Sequence, residues 1–183
     1  MRYKTMKKSG VDISAITVGT WAIGGANSLG AGYGEVDDAE SIRAIRAMLE
    51  GGVNLIDTAP IYGSGHSEEV VGKAMQGLDR DKIVLATKFG SYIEDGKGVH
   101  KSTPESIERE FADSVRRLGT DYFDIYLMHW PDDFGTPIKD TMSYVQGLKE
   151  AGKVKMIGLC NVDTDYIAQA SEYADIDIVQ LPF

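Results

Sequence analysis

The sequence predicts an α/β fold: a parallel-stranded (β/α)8 TIM barrel, truncated after its sixth strand. Three observations predict it. Strand-type and helix-type patterns alternate along the whole chain, which implies a parallel sheet joined by right-handed crossovers. Each unit takes ~30 of the 183 residues, so eight would take about 245, close to the ~250 usual for a closed barrel. The first long loop, with glycine at 24, 25, 30, 32 and 34, matches neither the Rossmann nor the Walker spacing, which counts against a doubly wound nucleotide fold. Residues 1–183 therefore read as a single barrel domain, incomplete at the C-terminus.

The elements follow in order. Residues 3–9 and 11–14 flank Ser9-Gly10 and suit a short hairpin. Ile16 to Ile23 reads as the first barrel strand, and Gly24 to Gly34 as a mobile loop. Asp37 or Asp38 caps a helix whose apolar face is Ile42, Ile45, Met48 and Leu49, and Gly51-Gly52 ends it. Val53 to Asp57 is the second strand. Ser67 suits the cap of a short helix, with Glu68 and Glu69 favoured by its dipole. Lys82 to Lys88 is the third strand. Thr103-Pro104-Glu105 starts a helix with Ile107, Phe111, Val115 and Leu118 on one face, and Gly119 stops it. Phe123 to Met128 is the fourth strand. A helix over 138–151 carries Met142, Val145 and Leu148. Val154 to Leu159 is the fifth strand, Asp163 caps a helix bearing Ile167, Ala170 and Tyr173, and Ile178 to Leu181 is the sixth strand.

Composition narrows the setting. Apolar residues at 43% and charged residues at 26% are those of an ordinary soluble domain. A net charge of −9 repels a phosphate backbone, so no nucleic-acid partner is expected. The one cysteine, Cys160, excludes an internal disulfide and fits a reducing compartment. The N-terminal residues have no apolar stretch behind their charges, so they do not form a signal peptide. No run approaches the ~18 apolar residues of a membrane span. No membrane partner is expected, and the cytoplasm is the expected location.

Four strands end in reactive groups: Asp57 with Tyr62 five residues on, then Lys88, His129 and Asn161. In a parallel barrel these positions share the carboxyl rim, where active sites lie. Each has a plainer reading: Asp57 as a loop cap, Tyr62 as packing, Lys88 as a snorkelling strand end, His129 as a core histidine, Asn161 as a turn residue. Structure alone does not require Asp, Lys and His at the ends of three consecutive strands. Together they suit proton transfer without a metal. A lysine cation lowers the pKa of a nearby tyrosine, an aspartate holds the lysine, and a neutral histidine donates to a carbonyl oxygen gaining charge. Carbonyl reduction fits, with hydride arriving at carbon and a proton at oxygen. A Schiff-base aldolase built on Lys88 remains an alternative, though it leaves Tyr62 idle. The three histidines, His66, His100 and His129, have no ligand spacing, so no metal is expected.

Gly52-Val-Asn-Leu-Ile-Asp57-Thr-Ala-Pro-Ile-Tyr62-Gly63, continuing through Ser67-Glu68-Glu69 to Gly72-Lys73-Ala74, resembles the first signature of the aldo-keto reductase superfamily. Leu118 to Pro131 resembles the second, Gly152 to Asn161 the nicotinamide-binding segment, and Val179 to Phe183 the sixth strand. The style of Asp57 to Gly63 is that of the stress-protein and potassium-channel β-subunit branches. The resemblance implies a tetrad of Asp57, Tyr62, Lys88 and His129, with Tyr62 as general acid acting on a small carbonyl substrate. It implies that Asn161 and Gln180 hold the nicotinamide carboxamide and that Thr20, Trp21 and Asp57 line the cofactor. Trp21, Tyr62 and Trp130 would face the substrate. NADPH is the implied cofactor, with NADH as the alternative. Cys160 stands where the family commonly has serine. The segments that in the family carry the seventh and eighth strands and most phosphate contacts would lie beyond Phe183. Two other readings follow: a cofactor-sensing regulatory module, or an inactive barrel fragment. Open first and sixth strands also predict self-association.

Overall fold

The computed structural model describes residues 1–182; Phe183, read above as closing the sixth-strand motif, lies outside the described residues. Six parallel strands form the central sheet: β3 (Thr17–Gly19), β4 (Leu55–Asp57), β5 (Val84–Phe89), β8 (Phe123–Met128), β9 (Val154–Cys160) and β10 (Ile176–Gln180). They lie side by side in chain order, each hydrogen-bonded to the next. This is the strand order of a β/α barrel, and a doubly wound sheet would reverse direction partway. Among the described residues β3 and β10 remain the two edges, so no ring closes.

Five helices cover the outer face: α1 (Asp38–Glu50), α2 (His66–Met75), α3 (Pro104–Leu118), α4 (Ile138–Glu150) and α5 (Thr164–Ala170). Their starts follow local chemistry. Asp37, Thr103 and Asp163 each accept a backbone N–H three residues on, and Pro104 occupies the first turn of α3. Gly119 ends α3 in the left-handed conformation.

Strand alternation divides the core in two. On β5, Leu85 and Phe89 pack outward against the helices, while Val84 and Ala86 point inward. The outer layer joins Phe89, Phe111, Phe123 and Tyr126 through ring contacts of 4.9 to 5.7 Å. The inner layer, Val84, Ala86, Ile125, Leu127, Met156 and Cys160, is floored by Met6, Val11 and Ile13. Those floor residues belong to the predicted hairpin, β1 (Tyr3–Thr5) with β2 (Asp12–Ser14). Asn54 fastens one end of it by donating to Asp12 O at 2.8 Å, and Lys8 reaches the other end to donate to Ile176 O at 2.8 Å.

The structure corrects several boundaries. The first barrel strand stops at Gly19, and Ala22–Gly24 forms a 3₁₀ turn in place of strand. The third strand starts at Val84, because Arg80–Lys82 is a 3₁₀ turn capped by Asp79. The sixth strand runs over Ile176–Gln180. Ser67 lies inside α2, which Gly65 precedes as cap, so its hydroxyl bonds elsewhere. A second hairpin, β6 (Tyr92–Glu94) with β7 (Lys97–Val99), escaped the sequence reading. Asp95 (φ +49°) and Gly96 (φ +72°) form its tip, the left-handed pair that a two-residue hairpin turn demands.

Candidate active site

Inward alternation carries Asp57, Lys88, Cys160 and Gln180 to the same side of the sheet as Leu55, Ala86, Ile125, Leu127 and Ile178. Register then sets their heights. Asp57 pairs with Ala86 on β5, and Lys88, one inward step higher, pairs with Leu127 on β8. The Lys88 side chain therefore leans back over Asp57 at the carboxyl rim.

Lys88 is 1% exposed. Its Nζ donates to Asp57 Oδ1 at 2.5 Å, to Thr58 O at 2.9 Å and to the Tyr62 hydroxyl at 3.2 Å. Three acceptors match the three ammonium protons, which is how a buried cation avoids its desolvation cost. Burial pushes the Lys88 pKa down, but Asp57 and Tyr62 together outweigh it, and the net direction is up. Lys88 is thus held charged.

Tyr62 corrects one expectation. Burial raises its pKa, Lys88 lowers it and Asp57 raises it again, and the net shift is upward. The lysine stabilises a phenolate without producing one at rest. The Tyr62 ring meets His129 edge-on, with centroids 5.7 Å apart. Burial, then the Lys88 charge, then His100 push the His129 pKa down to about 3, so the imidazole is neutral. Its Nδ1 is buried without a hydrogen-bond partner among the described residues.

Asn161 takes a left-handed backbone (φ +56°) just after β9 and donates to His129 O at 2.9 Å. Gln180 Nε2 donates to Asp57 Oδ2 at 2.8 Å, and Gln180 Oε1 accepts from Cys160 Sγ at 3.3 Å. The two carboxamides thus border the cluster, engaged with protein groups. Thr20 is buried beneath it, its N–H and hydroxyl both 3.1 Å from Asp57 O. Trp21 is half exposed and edge-on to Tyr33 at 5.0 Å. Trp130, also exposed, stacks near His100 at 5.4 Å. All the residues singled out from the sequence lie around one rim; Trp21 and Trp130 stand at its margin.

Two sets of residues were missed. Ser67 Oγ bonds Thr20 O at 3.0 Å, Thr20 Oγ1 at 2.8 Å and Thr58 Oγ1 at 3.1 Å. Glu68, fully buried, accepts from Thr87 Oγ1 at 2.6 Å and from Arg117 Nε at 2.7 Å. A signal existed: Glu68 precedes Val71 by three residues and Met75 by seven, on the helix face that faces the core.

Strand order and rim chemistry define a class, a β/α-barrel type of fold with a buried lysine–aspartate–tyrosine cluster at its strand ends. Sequence comparison names the family within that class. The Aldo/keto reductase family profile matches residues 15–183, and the chain belongs to that family. It is 38% identical to the aldo-keto reductase YhdN of Bacillus subtilis (strain 168), over 100% of this chain and 54% of the relative. It is 39% identical to the NADH-specific methylglyoxal reductase of Escherichia coli (strain K12), over 94% of this chain and 56% of the relative. A Klebsiella pneumoniae aldo-keto reductase solved with NADPH superposes with a TM-score of 0.75 at 32% identity, covering 96% of this chain and 55% of that one. The chain spans about half the length of the relatives it matches.

Proposed function

We propose that this site belongs to a reductase that converts an aldehyde or ketone to an alcohol, the 183 residues forming one unit of a β/α barrel. The observation that carries the proposal is Lys88 Nζ, buried between the Asp57 carboxylate and the Tyr62 hydroxyl. Burial keeps the proton on Tyr62 at rest, and the Lys88 contact stabilises the phenolate once the proton leaves.

Each residue has one task. Tyr62 donates its proton to the carbonyl oxygen. Lys88 offsets the phenolate charge, and Asp57 keeps Lys88 charged and aimed. Neutral His129 borders the oxygen and orients it. Trp21, Tyr62 and Trp130 flank the substrate. Solvent then returns the proton to Tyr62.

The nicotinamide cofactor is NADPH or NADH; when bound, it supplies hydride to the carbonyl carbon. The donor set fits its nicotinamide end, because Asn161 presents a carboxamide beside His129 and Gln180 one beside Asp57, with Thr20 and its neighbour Trp21 adjoining Asp57. Gln180 must exchange its bond to Asp57 for the cofactor amide. The B. subtilis and E. coli relatives and the NADPH-bound neighbour support this reading. The stress-protein and channel-β-subunit likeness and the choice between the two cofactors belong to the same proposal.

The test is absorbance-monitored oxidation of NADPH and of NADH with methylglyoxal and with a simple aliphatic aldehyde. Turnover that disappears in Lys88→Met supports the proposal. Turnover that persists in Lys88→Met overturns it.

A further inference from the structure

The Tyr62 turn is held from behind. Tyr62 opens a tight segment in which Gly63 (φ +59°), Ser64 (φ +57°) and Gly65 (φ +96°) are all left-handed. Glycine takes this region freely, so the strain falls on Ser64, which its surroundings must fix. On one side the backbone of Gly24 does so: a Cβ at Gly63 would lie 2.0 Å from Gly24 O. On the other side stands Arg117, whose Cδ would lie 2.9 Å from a Cβ at Gly65.

Arg117 is itself fixed by the buried Glu68 carboxylate, through Nε–Oε2 at 2.7 Å. The other oxygen of that carboxylate takes the Thr87 hydroxyl at 2.6 Å. Thr87 faces outward on β5, and the next residue, Lys88, faces inward to Tyr62. Glu68 therefore grips both supports of the acid–base pair. Arg117 joins it to the turn that carries the phenol, and Thr87 joins it to the strand that carries the ammonium. Ser67, one residue earlier, ties Thr58 and Thr20 to the same helical turn.

We propose that Glu68, with Arg117 and Thr87, is a positioning unit that sets the Lys88–Tyr62 separation from behind the sheet. The unit touches no reacting atom. Its effect is geometric: Glu68 bonds Arg117 behind the turn and Thr87 on the strand, while burial, Lys88 and Asp57 are the largest influences on Tyr62. When the bracket loosens, Lys88 withdraws from the phenol and its stabilisation of the phenolate weakens. The inference rests on the reading of Tyr62 as proton donor only for its functional meaning.

The test is a titration of Tyr62 in protein labelled with ¹³Cζ-tyrosine, its resonance assigned by its loss in Tyr62→Phe. In Thr87→Val, an isosteric change that removes one hydrogen bond, the Tyr62 midpoint should rise by ~0.5 unit or more as Lys88 draws away. Thr87→Ser, which keeps the hydroxyl, should restore it. Glu68→Gln should raise it at least as far where that variant folds, while the Tyr166 resonance stays put. A Tyr62 midpoint in folded Thr87→Val within ~0.2 unit of the parent would overturn the proposal. A Tyr62→Phe variant that still reduces carbonyls at the parent rate would instead remove the reductase reading and leave the positioning result standing.

Discussion

Tyr62 and His129 share one environment with opposite consequences. Burial raises the pKa of the phenol and lowers that of the imidazole to about 3, so both are neutral at physiological pH. A neutral phenol next to a charged lysine is a proton donor waiting for an acceptor. On the proposed reading of Tyr62 as general acid, Tyr62→Phe should lower turnover ~10²–10⁴-fold, the usual worth of such a group. Cofactor affinity, measured by fluorescence titration, should barely change. For His129 the sign is definite. Its folded pKa lies below the ordinary value of 6.5, so the unfolded chain binds more protons between pH 6.5 and about 3. Stability in that window rises with pH and is lost on acidification. In a proton NMR titration the His129 ring resonances should hold their neutral positions down to pH ~5; a midpoint near the ordinary histidine value would contradict the account.

At the scale of elements, the contact of α3 with the end of β5 carries the opposite sign. Glu110 on α3 is buried and accepts the Gly90 N–H at 3.1 Å on both oxygens. Burial outweighs that bond and pushes the Glu110 pKa up to about 8. From its ordinary range to about 8, the folded state keeps a proton that the unfolded chain releases. Stability from this group is present at low pH and falls as pH rises through that window. Glu110→Gln keeps an acceptor for Gly90 without the charge, so its urea midpoint should fall less than the parent's between pH ~5 and ~9. A parallel fall would show that Glu110 is ionised in the fold throughout. The end of α3 gives a simpler case. Gly119 is left-handed (φ +65°), and a Cβ there would meet nothing within 4 Å. Gly119→Ala should then cost about 1 kcal/mol of unfolding free energy, from backbone conformation alone.

The whole molecule is an arc whose inner face meets a hairpin floor below and the site above. Its edges, β3 and β10, each have a single sheet neighbour among the described residues. Thr17 and Gly19 on β3 and Ile178 on β10 border the apolar interior left between the edges, and Val179 and Leu181 are exposed. Unpaired backbone donors and acceptors beside apolar side chains favour pairing with another copy. Size-exclusion chromatography over a concentration series should show self-association of the 183-residue chain. Elution as a monomer at every concentration would show that the hairpin and the Gln180–Asp57 bond suffice to protect the interior.

The sequence by itself determined the order of elements, their parallel pairing and the strand ends at which Asp57, Lys88 and His129 stand. These are local properties: apolar period, capping residues and left-handed glycines act over a few neighbours. The rim residues were legible for the same reason, since a polar group at the end of an apolar strand has few places to go. The second hairpin was signalled by Asp95-Gly96 but lay hidden among charged residues with little apolar alternation. Tertiary structure alone decided three things. It moved Ser67 from cap to bracket, because Gly65 could take the cap conformation and the Thr20 and Thr58 hydroxyls needed a partner. It placed Gln180 against Asp57, a contact between residues 123 apart in the chain. It set the Tyr62 pKa upward, because the depth of burial, which outweighs the nearby lysine, depends on every element packed around the phenol. Such long-range quantities sum over distant residues, so no local pattern in the chain encodes them.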